Sequence, residues 1–121
     1  MIHNLEYNQI FVFGSNLAGR HGRGAALQAM KQFGAEYGVG EGMTGQCYAL
    51  PTLDGMLMKR QHADLLESVT RFLLYADAHR EYTFLLTKVG CGLAGYDEDY
   101  MRSFFVMIPT NVIPPEDWDE D

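Results

Sequence analysis

Hydrophobic residues occur in this chain as short runs and as helically spaced stripes. The apolar run 10–13 ends at Gly14, a pattern typical of a strand that is buried on both faces. Ala26, Met30 and Phe33 then recur at helical spacing, and Gly34 supplies a C-terminal stop. These residues predict a first unit made of a strand, a glycine loop and a helix.

The remainder of the chain continues this alternation. Residues 46–50 predict a strand that Pro51 ends, with a glycine-rich loop over 34–45 before it and an exposed excursion over 52–60 after it. Residues 82–89 predict the clearest strand, and residues 111–113 predict a short final one. The longest helix carries one apolar stripe, which consists of Leu65, Leu66, Val69, Phe72, Leu73 and Ala76.

The last helix has the best-defined start in the chain. Asp97 suits the N-cap position, and Glu98 and Asp99 add acidic groups to the first turn. We expect this helix to end at Pro109 and to bury one face, formed by Met101, Phe104, Phe105 and Ile108. Strands that alternate with helices predict a layered α/β fold with a partly parallel sheet, in which ligands bind beyond the carboxyl ends of the strands.

Length and composition predict one globular domain, residues 1–115. The chain has 121 residues, of which 47% are hydrophobic, and this argues against a disordered protein. Five of the 16 acidic residues lie in the last six positions, so we expect residues 116–121 to form a solvated, mobile acidic tail. The other residues include 11 acidic and 9 basic ones without a Lys/Arg stripe. An extended nucleic acid is therefore not an expected partner.

The sequence also indicates in which compartment the protein works and whether it needs a cofactor. The N-terminal residues lack a signal-peptide pattern, and no apolar stretch approaches the roughly 18–20 residues that cross a bilayer. We expect a cytoplasmic protein without a membrane partner. Cys47 and Cys91 are too few for a disulfide framework, and no His or Cys spacing fits a metal site. We therefore expect neither a metal nor another cofactor, and the oligomeric state stays open.

The first glycine loop runs from Gly14 to Gly24 and opens a helix. Glycines let backbone N–H groups approach an anion, and a helix N-terminus adds unpaired donors and a partial positive charge. Arg20 and Arg23 are placed to add bidentate contacts to phosphate. The alternative interpretation is a long loop whose glycines serve only its turns.

The second glycine loop, residues 90–95, reads G-x-G-x-x-G between a strand and a helix. A Rossmann fingerprint would follow the first strand of a larger unit, whereas only one strand can follow here. Neither loop is a P-loop, because Gly-Lys-Ser/Thr is absent. The sequence predicts instead that the two loops hold a diphosphate from both sides.

Three motifs in these segments resemble a known family. They are FGSNLAGRHG at residues 13–22, YALPT at residues 48–52 and VGCGLAGY at residues 89–96. The chain resembles a compact macro domain, the ADP-ribose-binding fold, and in particular the short macro-like proteins of phage and bacterial genomes. The resemblance covers residues 10–118. It implies a three-layer α/β/α fold with a mixed, partly parallel sheet and a small-molecule ligand of the ADP-ribose type.

The resemblance also implies which residues bind the ligand. In macro domains an Asn after the first strand contacts the distal ribose, the glycines that follow hold the diphosphate, and a later glycine loop closes over both. The predicted ligand-binding residues are Gly14, Ser15, Asn16, Gly22, Arg23, Gly24, Ala25, Gly90, Cys91, Gly92, Leu93, Ala94, Gly95 and Tyr96.

Two residues are the candidates for catalysis. Asn16 is expected to orient the distal ribose or an attacking water, and the alternative is a turn residue held by its own backbone contacts. His21 is expected to be exposed, either as a general acid/base or as a polar loop group.

A third residue, Cys91, has two interpretations. It is either a nucleophile beside a helix N-terminus or a small packing residue.

Two functions follow from these residues. The first is the hydrolysis of an ADP-ribose derivative, with the glycine loops positioning the diphosphate. The alternative is a non-catalytic module that binds an ADP-ribose-type signalling nucleotide. Arg23 occupies the loop position where the hydrolytic branch of the family often has an acidic residue, which favours the binding module. A third possibility, a structural protein without a ligand, is disfavoured by the number of glycines in the loops.

Overall fold

A computed structural model of the chain describes residues 2–118. Five strands and three α-helices follow one another along it, together with two short 3-10 helices, Ser103–Phe105 and Glu116–Trp118. The strands and helices, in chain order, are β1 Gln9–Asn16, α1 Gly24–Phe33, β2 Gly42–Thr44, β3 Cys47–Leu53, α2 His62–Ala78, β4 Thr83–Leu86, α3 Glu98–Arg102 and β5 Val112–Ile113.

The strands form one mixed sheet in the order β2-β3-β1-β4-β5. β1 is the central strand and pairs in parallel with β3 and β4, while β2 pairs antiparallel with β3 at the edge. Phe11 of β1 lies opposite Cys47 on one side and Leu85 on the other. The α/β class and the mixed, partly parallel sheet are therefore confirmed. Because β1, β3 and β4 run in the same direction, the loops that follow them leave the sheet at one edge.

Helices cover both faces of the sheet. Phe11 and Phe13 pack with residues of α1 in one buried cluster, whereas Ile10 and Val12 belong to a second cluster that contains residues of α2 and α3. Successive side chains of a strand point to opposite faces, so β1 contributes alternately to the two clusters. The molecule thus has three layers, and the prediction of a strand buried on both faces is confirmed.

The first predicted helix forms as expected. α1 ends at Phe33, and Gly34 follows in the left-handed region with a φ of 87°. Its N–H donates to the carbonyl of Ala29, which satisfies an otherwise unpaired carbonyl at the helix end.

Three strand predictions were wrong in extent. β1 runs past Gly14 to Asn16, so the first three residues of the predicted glycine loop belong to the strand. β3 continues through Pro51 to Leu53, because β2 borders β3 only over Cys47–Ala49 and Pro51 faces no ladder on that side. The predicted exposed excursion over 52–60 was therefore wrong at its start, where Thr52 is buried in the strand. The predicted loop over 34–45 contains the three-residue edge strand β2, which has no hydrophobic alternation to reveal it. β4 ends at Leu86 rather than at residue 89, since the chain turns where the N–H of Val89 donates to the carbonyl of Thr87.

The helix predictions also need corrections. Leu66 was assigned to the buried stripe of α2, but it is exposed, while Ser68 is buried on that face.

Asp97 is the N-cap of α3 as predicted, and its carboxylate accepts a hydrogen bond from the N–H of Tyr100. α3 stops at Arg102, well before Pro109, and continues only as a 3-10 turn. The Ser103 hydroxyl donates to the carbonyl of Tyr100 at this point, a local bond that competes with helix continuation.

The prediction of a solvated tail was wrong for residues 116–118. They form a 3-10 helix, and the Trp118 side chain is buried against Phe105, with a centroid distance of 6.0 Å. The Trp118 indole N–H donates to Glu98, and Lys88 pairs with Asp117 at 2.7 Å. The other acidic residues of the predicted tail, at positions 119–121, lie outside the described residues. Within residues 2–118, no helix has the length and apolar character needed to cross a membrane.

Candidate functional site

A cavity of about 770 Å³ opens at the edge of the sheet where β1, β3 and β4 end. Its walls come from the three segments that follow these strands: the first glycine loop with the start of α1, residues 52–57, and residues 87–94. Eleven of the predicted ligand-binding residues line it, namely Gly14, Ser15, Asn16, Gly22, Arg23, Gly24, Ala25, Gly90, Gly92, Leu93 and Ala94. The structure therefore brings the two glycine loops together around one space.

The N-terminus of α1 faces this cavity without a capping side chain. Arg23 occupies the N-cap with an extended backbone, and it makes no side-chain cap hydrogen bond. The first turn of α1 has no acidic residue either, whereas α2 has Asp64 there and α3 has both an acidic cap and an acidic first turn. The N–H groups and the positive end of the helix dipole are thus left for a ligand in the cavity, an arrangement that suits an anion.

The glycines of the two loops leave open space at the cavity wall. A Cβ atom at Gly22 or Gly92 would meet no heavy atom within 4 Å. Both glycines line the cavity, so a side chain added at either position would reduce the space available to a ligand. At the ends of the strands the packing is tighter, since a Cβ at Gly14 would come within 3.2 Å of the backbone nitrogen of Gly90. Gly14 therefore serves the close approach of the two loops.

The charged residues that line the cavity are all basic. They are Arg20, Arg23 and Lys88, in a chain whose formal net charge is −7. Within residues 2–118, the guanidinium groups of Arg20 and Arg23 form no ion pair. Lys88 is held in place by Asp117 at 2.7 Å and by the Glu98 carboxylate at 3.1 Å. These hydrogen bonds raise the pKa of Lys88, and the two carboxylates balance its positive charge.

Asn16 lies at the end of β1 and is 7% exposed. Its amide nitrogen donates to the carbonyl of Arg20, and its amide oxygen accepts a hydrogen bond from the N–H of Arg20, each at 3.0 Å. These two bonds close the loop over residues 16–20 and place Arg20 at the cavity. Asn16 therefore stabilises the turn as the alternative interpretation proposed, and it lines the cavity as the ligand interpretation requires.

His21 is not exposed, and the expectation of an exposed loop residue was wrong. Its side chain is 0% exposed and does not line the cavity. The ring packs edge-on against Phe13, and its Nε2 lies within 3.1 Å of the carbonyl oxygens of Glu36 and Val39. Two carbonyl acceptors require the proton on Nε2, so His21 ties the first glycine loop to residues 36–39. This position does not suit a general acid/base that must reach a ligand in the cavity.

Three other predicted residues do not line the cavity. The Tyr96 hydroxyl donates to the carbonyl of Thr52 at 2.7 Å and accepts a hydrogen bond from the N–H of Arg60, so it ties the second loop to the end of β3. Gly95 accepts a hydrogen bond from Lys59 through its carbonyl. The Cys91 thiol donates to the carbonyl of Val89, and burial raises its pKa, as expected for a packing residue rather than a nucleophile.

Sequence reasoning missed several residues that line the cavity. Thr52 and Leu53 belong to the end of β3, Leu57 to the turn after it, and Thr87 and Lys88 to the segment after β4. The YALPT motif could have indicated the first of these, because it ends at Thr52. The turn that contains Leu57 has a local signal, Asp54 followed by Gly55, but this signal does not indicate that the turn borders the cavity.

Among residues 2–118, no group of three or more His, Cys, Asp or Glu side chains could hold a metal ion. Comparison of the chain with known protein families, with curated proteins and with solved structures finds no match. The nature of the ligand therefore has to be argued from the cavity itself and from the motifs around it.

Proposed function

We propose that this protein binds a nucleotide diphosphate of the ADP-ribose type between its two glycine loops. One observation carries the proposal: in a chain with a net charge of −7, the charged residues at the cavity are Arg20, Arg23 and Lys88, and the two arginines form no ion pair within residues 2–118. Acidic residues on the remaining surface disfavour anions, so a basic cavity is best explained by an anionic ligand.

The size and chemistry of the cavity fit such a ligand. A volume of about 770 Å³ lies within the range of roughly 300–1,000 Å³ that is usual for small-molecule sites. The uncapped N-terminus of α1 and the open wall at Gly22 and Gly92 suit a diphosphate, which needs several N–H donors at close approach. The three motifs that resemble macro domains lie in the segments around this cavity and support the ADP-ribose class.

Binding without hydrolysis is the function that the geometry favours. Among the described residues that line the cavity, none is Asp, Glu or His, the usual general acids and bases. Hydrolysis of an ADP-ribose derivative is a second candidate. The position of Asn16 favours it, because this amide lines the cavity where the resemblance to macro domains places the distal ribose.

A thermal-shift panel tests the proposal and its ligand class. ADP-ribose, ADP, NAD, cyclic nucleotides and adenosine are each added at millimolar concentration, and the melting temperature is compared with that of the free protein. A ligand that binds only the folded state adds RT ln(1 + [L]/Kd) to its stability. We expect ADP-ribose and ADP to raise the melting temperature and adenosine, which lacks phosphate, to have little effect.

No shift with any diphosphate would refute the proposal. The choice between the two functions needs a second assay, in which the release of ADP-ribose from modified protein, nucleic acid or small-molecule esters is measured. Tight binding without release from any substrate is the result expected for a binding module, and catalytic release would establish the hydrolase instead.

A further inference from the structure

Two large apolar side chains at the cavity are left uncovered by the rest of the protein. Leu57 is 47% exposed and Leu93 is 75% exposed, and both line the cavity. Leu57 belongs to the segment after β3, and Leu93 belongs to the second glycine loop after β4. Because β1 lies between these two strands, the segments reach the cavity from opposite sides of the end of β1. A pair of exposed leucines in a binding cavity is suited to an apolar part of the ligand.

The backbone of Leu57 indicates that its side chain has a specific use. Leu57 has a φ of 62°, and within residues 2–118 it is the one residue other than glycine with a positive φ. Side chains disfavour this region, which glycine or asparagine would occupy at lower cost. Strained residues of this kind concentrate at binding and catalytic sites, where the side chain outweighs the strain.

The turn that carries Leu57 is fixed firmly. The Asp54 carboxylate accepts hydrogen bonds from the N–H groups of Met56 and Met58, at 2.8 Å and 3.0 Å. Leu53 pairs with Lys59 across the turn, and the Lys59 ammonium group donates to the carbonyl of Gly95. The turn and the second glycine loop are thus bonded to each other. Leu57 and Leu93 therefore lie on two segments that a hydrogen bond joins at the edge of the cavity.

The hydroxyl groups of the cavity use their protons in hydrogen bonds to the backbone. Each of them donates to a carbonyl of the chain itself: Ser15 to Gly40, Thr52 to Ser15 and Thr87 to Val12, and the Asn16 amide donates to Arg20. Discrimination between nucleobases requires side-chain donors that match the edge of one base, and a hydroxyl whose proton is bonded to the backbone cannot supply one. The leucines can contact the faces of any base, but they cannot distinguish one edge from another.

We propose that Leu57 and Leu93 hold the nucleobase of the ligand by apolar contact and that the site accepts adenine, guanine and uracil alike. This inference rests on the proposed function, since it assumes that the diphosphate occupies the glycine loops. A base is the part of such a ligand that gains most from leucine, because a ribose would lose the hydration of its hydroxyl groups. The protein would then select nucleotides by the diphosphate rather than by the base.

Calorimetric titration with ADP-ribose, ADP, GDP, UDP and inorganic pyrophosphate tests this inference. The variants are Leu57→Ala and Leu93→Ala, which remove the side chain beyond Cβ. The matched control is Met56→Ala, because Met56 is 83% exposed in the same turn and does not line the cavity. Thermal unfolding of each variant establishes that it is folded.

We expect the wild type to bind the three nucleoside diphosphates with affinities within about threefold of one another. Each leucine variant should weaken nucleotide binding about tenfold and leave pyrophosphate binding unchanged, since burial of a leucine side chain contributes on this scale. Met56→Ala should behave as the wild type.

Three results would overturn the inference. Unchanged nucleotide affinity in both folded leucine variants would remove the leucines from the base site while leaving the proposed function in place. A hundredfold preference of the wild type for adenine would refute the lack of base selection. If the wild type binds neither pyrophosphate nor any of the nucleotides, both this inference and the proposed function are overturned.

Discussion

Replacement of Asn16 by alanine is expected to destabilise the protein by about 1–2 kcal/mol. The substitution removes both hydrogen bonds at 3.0 Å between the Asn16 amide and the backbone of Arg20. A hydrogen bond contributes about 0.5–1.5 kcal/mol, and the two bonds together would allow up to about 3 kcal/mol. Arg20 is exposed, so water can replace part of what is lost, and the lower half of this range applies.

Urea unfolding monitored by the fluorescence of Trp118, the single tryptophan of the chain, measures this loss. Asn4→Ala is the control, because Asn4 is an exposed asparagine outside the cavity, where substitutions usually change stability by less than about 0.5 kcal/mol. Affinity for ADP-ribose should fall as well, since the loop no longer fixes Arg20 at the cavity. If Asn16→Ala is as stable as the wild type, the two hydrogen bonds do not hold the loop and the reasoning is refuted.

Three further predictions concern the second loop and the C-terminal segment. Gly92→Val should abolish ligand binding without unfolding the protein. The control is Gly55→Val, which should bind normally, because a Cβ at Gly55 also meets no heavy atom within 4 Å but Gly55 does not line the cavity. Calorimetry and thermal unfolding check both variants. Trp118→Ala should lower the free energy of unfolding by about 3 kcal/mol in denaturation followed by circular dichroism, and an unchanged value would show that Trp118 is not docked. A hydrogen bond from Trp118 holds the pKa of Glu98 below its ordinary 4.5, and one from Lys88 holds the pKa of Asp117 below its ordinary 3.8. The stabilisation from both carboxylates is therefore present above these ordinary values and is lost as the pH falls through the lowered pKa values. Trp118 emission should therefore stay constant down to about pH 5 and shift to the red in stronger acid, and a shift that begins near neutral pH would contradict this assignment.

The regular elements were predictable where a local pattern fixes them. The run 10–13, the stop at Gly34 and the cap at Asp97 each follow from a few neighbouring residues, and all three are confirmed. β2 and the early end of α3 depend on strand pairing and on a side-chain hydrogen bond of Ser103. Such contacts leave no periodic signal in the sequence, and these elements were therefore missed.

The candidate site was predictable to a similar extent. The glycine patterns were sufficient to indicate that two loops face one cavity. Burial could not be judged from the sequence, because His21 and Trp118 occur among glycines and acidic residues that are typical of exposed segments. Carbonyl groups of residues 36–39 enclose His21, and Phe105 covers Trp118 from a distant part of the chain. Asp54 and Gly55 indicate the turn before Leu57, but neither the positive φ of Leu57 nor its place at the cavity has a signal in the sequence.

The most direct test of the central claim is calorimetric titration of ADP-ribose into the wild type and into an Arg20→Ala/Arg23→Ala double variant. Lys31→Ala is the control, since it removes a positive charge from the exposed last turn of α1, away from the cavity. We predict one ligand per chain for the wild type, at least a tenfold weaker affinity for the double variant and an unchanged affinity for the control. The absence of heat at millimolar ADP-ribose, or equal affinity in the double variant, would contradict the assignment of this cavity as a nucleotide diphosphate site.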